Sequence, residues 1–245
     1  MLYMHRKLEQ DIRSWIARDS SHPLLIRDAR RAGKTTLVET VGKECSGEYF
    51  AKLDFQTDTA RTDAIFSGAT DDVDRITSNI AEYLRVGLDK EKSILFFDEV
   101  QLNEKALNSL RFFSESGWRV IATESLLGAS NKRRRLPFPP GVRQIELHPM
   151  DFEEWLWAVG ERRMPEDIRA HAQSLEPYIL HSEALEHHHR YLVVGGMPKA
   201  VCTWVQTHDY ALVREVLDEI DLTYTADMTD PENGISGCCG EAHLG

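Results

Sequence analysis

Apolar residues recur every three or four positions in Leu8, Ile12, Trp15 and Ile16, the spacing of one face of an amphipathic helix that ends near Asp19. After His22-Pro23 the pattern changes to an unbroken run, Leu24-Leu25-Ile26, too short for a buried helix and suited to a buried strand. Thr35 to Gly42 reads as the next helix, and YFAKLDF, Tyr49 to Phe55, alternates as a second strand. Asp72 to Val86 returns to helical spacing through Val73, Ile76, Ile80 and Leu84. In SILFFDEVQ the residues Ile94 to Phe97 are continuously apolar, as in strands buried on both faces of a parallel sheet. Ala106 to Ser114 then predicts a helix, and Arg119 to Thr123 and Val142 to Leu147 predict strands. Alternating strands and helices imply an α/β three-layer sandwich around a mainly parallel sheet of about five strands.

Beyond Leu147 the pattern becomes helical. Asp151-Phe152-Glu153-Glu154 has the spacing of a capping box, with Trp155 and Leu156 beginning an apolar face. Helical character continues to Ala226, broken at Gly195-Gly196-Met197-Pro198. The final stretch, DPENGISGCCGEAHLG, buries too little apolar surface to offset its ordering entropy and is expected to be disordered. The expected division is therefore a core with its N-terminal helix over 1–148, a small helical lid or linker subdomain over 149–228, and an atypical tail over 229–245.

Composition narrows the function classes. No apolar run reaches the roughly 18 to 20 residues of a membrane span, and the N-terminus is charged where a signal peptide is apolar, so a cytoplasmic chain without membrane contact is expected. A net charge of -11 argues against a surface globally attractive to nucleic acid. The local exception is Lys132-Arg133-Arg134-Arg135, which reads as a solvated loop or a DNA contact. Cys45, Cys202, Cys238 and Cys239 lack both C-x-x-C spacing and the density of a disulfide framework, so reduced thiols are expected.

The candidate chemistry begins at RDARRAGKTT, between the first strand and the helix after it. Gly33-Lys34-Thr35 closes the phosphate-loop consensus G-x-x-x-x-G-K-[ST], but the opening glycine is replaced by Asp28. Backbone N–H groups over Arg31, Ala32, Gly33, Lys34, Thr35 and Thr36 are expected to face the phosphates of ATP, with the Lys34 ammonium on the β- and γ-phosphates. Thr35 is placed to ligate Mg2+. The second motif, Asp98-Glu99, ends the most apolar strand, and ligands bind outside the carboxyl ends of strands in such sheets. Asp98 then holds Mg2+ through its water shell, and Glu99 is the candidate general base for the attacking water. A third polar group is expected on the strand between these two, where RVIATES offers Thr123 and Ser125; Thr123 is preferred. Three consecutive histidines, His187 to His189, point in different directions on a helix and read as a solvated face. Trp155 and Trp157 read as packing residues.

Together these segments resemble the prokaryotic AAA-type ATPases that carry a C-terminal domain of unknown function. The similarity runs from about Leu8 to Asp227 through ARRAGKTTLVE, FFDEVQ, ALNSLRFFSE, SLLG, LHPMDFEEWL, GGMPKAV and IDLTYTADM. The resemblance implies a P-loop NTPase sandwich of the class with an additional catalytic glutamate, ATP and Mg2+ as cofactors, possible self-association, and a protein or DNA target. It also implies glycine at the positions of Asp28 and Glu124, so this chain adds two carboxylates near the phosphates. The family's continuation after the helical region is replaced here by the glycine- and cysteine-rich tail, which suggests a truncation or frameshift. The alternative to an active ATPase is a degenerate, non-hydrolysing relative acting as a binding or regulatory module.

Overall fold

The computed structural model describes residues 3–18, 22–28, 30–114, 116–125 and 140–229, with backbone alone at 28 and 227. The Arg133 to Arg135 run, the Leu126 to Gly128 part of SLLG, the Asp28 side chain and the tail from 230 onward lie outside the described residues. Contacts divide the chain into two compact units.

The larger unit, Ile12–Arg30, Lys34–Leu147 and the chain from Thr223, is built on a five-stranded sheet in the order β2-β3-β4-β1-β5. The strands are β1 (Leu24–Asp28), β2 (Phe50–Asp54), β3 (Ile94–Asp98), β4 (Arg119–Ser125) and β5 (Arg143–Glu146). Every pairing is parallel. The strand that follows β3 in sequence is thus inserted between β3 and β1. In register, Asp54 lies beside Asp98, Phe97 beside Ala122, and Asp28 beside Ser125, so the carboxyl ends of four strands finish nearly level. In this unit α1 (Leu8–Ala17) contributes its second half, and α2 (Lys34–Ser46), α3 (Thr59–Ile65), α4 (Val73–Leu84) and α5 (Glu104–Phe113) join the strands.

The apolar pattern sets these positions. All five residues of β3 are buried, as its unbroken run requires. Phe55, Phe66, Phe97 and Phe113 pack on one another with centroids 5.6 to 6.0 Å apart, mostly edge to face. Each fully buried phenylalanine contributes about 2 to 3 kcal/mol of hydrophobic stabilisation. Local signals fix the helix starts: Asp58, Asp72 and Asn103 each accept a backbone N–H from the first turn of α3, α4 and α5. The short α3 is missing from the sequence reading, because seven residues give too little periodicity to detect.

The second unit contains residues up to Asp11, the loop Arg31–Gly33, and His148–Leu222. Its helices are α6 (Phe152–Ala158), α7 (Met164–Ser174), α8 (His181–Val194), α9 (Pro198–Thr207) and the first part of α10 (Tyr210–Thr229). The predicted capping box is present: Asp151 accepts from Glu154 N at 3.0 Å, and Glu154 accepts from Asp151 N at 3.3 Å. Trp155, Leu156, Val194, Val201 and Trp204 anchor its core. The break in the helices at Gly195-Gly196 has a steric cause. A Cβ on Gly196 would sit 2.1 Å from the Met150 carbonyl oxygen, because Met150 N donates to Gly196 O at 2.7 Å.

Arg6 ties this unit together. Its Nε donates to Glu154 Oε2 at 3.1 Å, Nη1 to the Ala32 carbonyl at 2.8 Å and Nη2 to the His148 carbonyl at 2.5 Å. Arg6 and Glu154 are both buried, and Glu154 also accepts the Lys7 N–H at 2.7 Å.

Candidate functional site

The polar ends of β3 and β4 meet the start of α2. Thr35 Oγ1 donates to Asp98 Oδ1 at 2.9 Å, and Thr123 Oγ1 donates to the same oxygen at 2.7 Å. Glu99 follows in a left-handed backbone conformation, φ 57°, which costs a non-glycine residue roughly 1 to 2 kcal/mol. Its own N–H donates to Thr123 Oγ1 at 3.0 Å, so one threonine positions both acids. The Glu99 carboxylate accepts Ser125 Oγ at 2.7 Å and Gln101 Nε2 at 2.5 Å. A strained backbone held by three side-chain contacts is the pattern of a pre-organised site.

Of the residues singled out in the sequence, Thr35, Asp98, Glu99 and Thr123 therefore form one hydrogen-bonded cluster. Lys34, the first residue of α2, is buried at the same helix start, and Thr36 is exposed beside it. The N-terminus of this thirteen-residue helix carries the partial positive charge of the helix dipole. The loop residues Arg31, Ala32 and Gly33 are grouped with the helical unit. Arg31 has φ 67° and donates to Glu219 at 2.9 Å; Ala32 is buried, and Gly33 has φ 94°, where a side chain would be strained. Glu219 also accepts Lys199 Nζ at 2.5 Å, and the hydrogen bonds from Lys199 and then Arg31 hold its carboxyl below the usual range.

Lys52 on β2 completes the cluster and is absent from the sequence reading. Its Nζ lies 2.9 Å from Asp98 Oδ2 and 2.8 Å from Glu39 Oε1. Burial pulls its pKa down, but the hydrogen bonds to Glu39 and Asp98 outweigh this and raise it above 10.5. The contribution of this ammonium to stability is thus complete below pH 10.5 and is lost as pH rises through the higher folded value. No local signal identifies Lys52, since only the β2–β3 register places it beside Asp98. Gln101 is likewise found only through the turn that follows Glu99.

The extra carboxylate of Glu124 has a specific partner. Arg27 lies directly opposite in register, and its Nε donates to Glu124 Oε2 at 3.1 Å. Thr123 and Ser125 bond to Asp98 and Glu99, so by strand alternation Glu124 projects from the opposite face. The carboxylate expected as an added charge near the phosphates is thus paired with Arg27 and lies on the strand face opposite Thr123 and Ser125.

Thr35 Oγ1 and Asp98 Oδ1 are hard oxygen donors 2.9 Å apart, a set that suits Mg2+ with its preference for carboxylate, hydroxyl and water oxygens. Beside them, Thr35, Thr36, Glu39, Thr40 and Lys43 line a cavity of ≈ 180 Å³.

The family model described as an AAA domain matches residues 20–156, over half of the chain. No curated protein matches the sequence significantly. Among solved structures, C. elegans PCH-2 aligns at 11% identity and TM-score 0.46, over 90% of this chain and 69% of that one. S. cerevisiae Hsp104, in a complex with casein, aligns at 14% identity and TM-score 0.44, over 96% of this chain and 51% of that one. The Pif1 helicase from Candida albicans aligns at 11% identity and TM-score 0.40, over 65% of this chain and 44% of its own length. The chain thus spans about half the length of the latter two. With its parallel sheet in P-loop NTPase form and the family match across the phosphate loop and the Asp98-Glu99 strand, the chain belongs to the AAA-domain family.

Proposed function

We propose that this protein binds ATP with magnesium at the start of α2 and hydrolyses it, with Glu99 as general base. The observation that carries the proposal is the convergence of Thr35 and Thr123 on Asp98, with Glu99 held next to it by Ser125 and Gln101. Lys34 and the helix N-terminus attract the phosphates, Thr35 and Asp98 hold the cation, and Thr123 fixes the two acids relative to each other. Bound magnesium supplies charge neutralisation on the transferring phosphoryl group. The Glu99 carboxylate takes the proton of the attacking water. Phosphate release from ATP by the purified protein, measured with and without magnesium, tests the reaction; release that is absent, or indifferent to magnesium, contradicts it.

Lys52 competes with the cation for Asp98. Lys52→Met is therefore expected to lower the magnesium concentration giving half-maximal ATP binding by roughly fivefold, the effect of about 1 kcal/mol for a partly exposed ion pair. An unchanged or higher magnesium requirement contradicts this role.

A second reading, a non-hydrolysing relative, is favoured by Asp28, which stands where the phosphate-loop consensus has glycine. A second feature behind this reading, the Glu124 carboxylate, is neutralised by Arg27. A carboxylate about 5 Å from a phosphate charge costs roughly 3 kcal/mol at an effective dielectric near 20, an upper bound equal to about two decades of affinity. Asp28→Gly is expected to tighten nucleotide binding by about tenfold or more, read by titration with a fluorescent ATP analogue. Unchanged affinity would show that Asp28 imposes no penalty and would remove the main support for the second reading.

A further inference from the structure

The helical unit holds a group of donors that the nucleotide site does not use. Glu183 and His187 are four residues apart on α8, so they share one face of that helix. Glu161 reaches the same place from the turn after α6, where its N–H donates to Leu156 O at 2.9 Å. A ring nitrogen of His187 and one carboxylate oxygen from each glutamate all lie within 4.8 Å of one another. Ligands at about 2.1 Å from one divalent ion stand roughly 3 to 4 Å apart, so small side-chain rotations bring this set onto an ion.

Two observations distinguish the group from an ordinary acidic cluster. His187 is only 9% exposed, and its buried Nδ1 has no hydrogen-bond partner. An orphaned buried polar atom carries a desolvation cost of about 1 to 3 kcal/mol, which coordination through Nδ1 relieves. Neither Glu161 nor Glu183 makes a side-chain hydrogen bond or ion pair among the described residues, whereas Glu153, Glu186 and Glu219 of the same unit do. The same negative field reaches Tyr178, whose hydroxyl is also buried without a partner. Burial, then the charges of Asp167, Glu183 and Glu161, push that phenol up, with Arg163 opposing. The reading of the three histidines as a solvated face holds for His188 and His189, which are exposed, and fails for His187. Partners distant in sequence supply what the run itself lacks.

We propose that Glu161, Glu183 and His187 bind a divalent transition metal of the zinc class. The imidazole selects zinc-like ions over Mg2+ and Ca2+, which prefer oxygen alone, and the two carboxylates balance the ion's charge. Three protein ligands leave a position for water, and His187 also lines a cavity of ≈ 370 Å³ with Trp155, Arg190, Trp204 and His208. An edge-to-face contact with Trp155, centroids 5.6 Å apart, fixes the imidazole plane. Metal at this point fastens the turn after α6 to α8.

Calorimetric zinc titration of the full, metal-stripped chain in excess magnesium tests the site, before and after thiol alkylation to silence Cys45 and other accessible thiols. One equivalent is expected to survive alkylation, and Glu183→Gln and His187→Asn are each expected to weaken it by about tenfold or more. Glu183 is exposed, so its replacement leaves the fold intact and the test interpretable even if the His187 variant misfolds. The proposal is overturned if zinc does not bind, if alkylation abolishes binding, or if Glu183→Gln binds zinc as the wild type does.

Discussion

Glu99→Gln is expected to slow ATP hydrolysis by about 10²- to 10⁴-fold, the range that a positioned general base contributes, while nucleotide binding is retained. The amide is nearly isosteric with the carboxylate and preserves an acceptor for Ser125, which sits 2.7 Å from Glu99 Oε1. What it loses is the basic lone pair that takes the proton from water. The binding elements Lys34, Thr35 and Asp98 are untouched, so the loss falls on the chemical step rather than on affinity. Single-turnover phosphate release, compared with binding of a fluorescent ATP analogue, separates the two. A variant that hydrolyses within about tenfold of the wild type would show that Glu99 is not the base. The hydrogen bonds from Ser125 and Gln101 sharpen the expectation, because they fix the carboxylate and leave little freedom for another group to take its place.

The second large effect concerns stability. Arg6→Ala removes three donors at once and leaves the buried Glu154 carboxylate without its counter-charge. Breaking a buried ion pair from one side costs about 3 to 5 kcal/mol, because the remaining charge stays desolvated. For a chain of this size each kcal/mol shifts the melting temperature by about 2 to 4 °C, so a drop of roughly 6 to 20 °C is expected in a circular-dichroism melt. Arg6→Lys should fall between, since an ammonium keeps the charge but cannot reach Glu154, Ala32 and His148 from one planar fork. A melting temperature for Arg6→Ala within a degree or so of the wild type would contradict this account.

These two residues also mark what a reader of the sequence can and cannot see. Asp98-Glu99 is visible because an apolar run that ends in two acids is a local pattern, and the phosphate-loop helix start is visible for the same reason. The capping box at Asp151 and the buried strand at Ile94 are equally local. Arg6 is not visible, because its partners are 26, 142 and 148 residues away and its own neighbours are an unremarkable charged N-terminus. Lys52 and the Arg27–Glu124 pair are hidden in the same way, since only strand register brings them together. His187 is the sharpest case. Its neighbours in sequence argue for a solvated face, whereas packing against Trp155 buries it and Glu161 is brought from 26 positions upstream. Periodicity reports which face of an element is apolar, but polar networks depend on long-range pairing that periodicity does not encode.

The central claim is that the Lys34, Thr35 and Asp98 cluster binds magnesium and ATP despite the aspartate at the entrance of the loop. Titrating the purified chain with a fluorescent ATP analogue, with magnesium and with chelator, and beside Lys34→Ala, tests it directly. Saturable binding that requires magnesium and is lost in Lys34→Ala is the result this account expects; no magnesium-dependent binding at millimolar nucleotide, or binding that Lys34→Ala leaves intact, would contradict it.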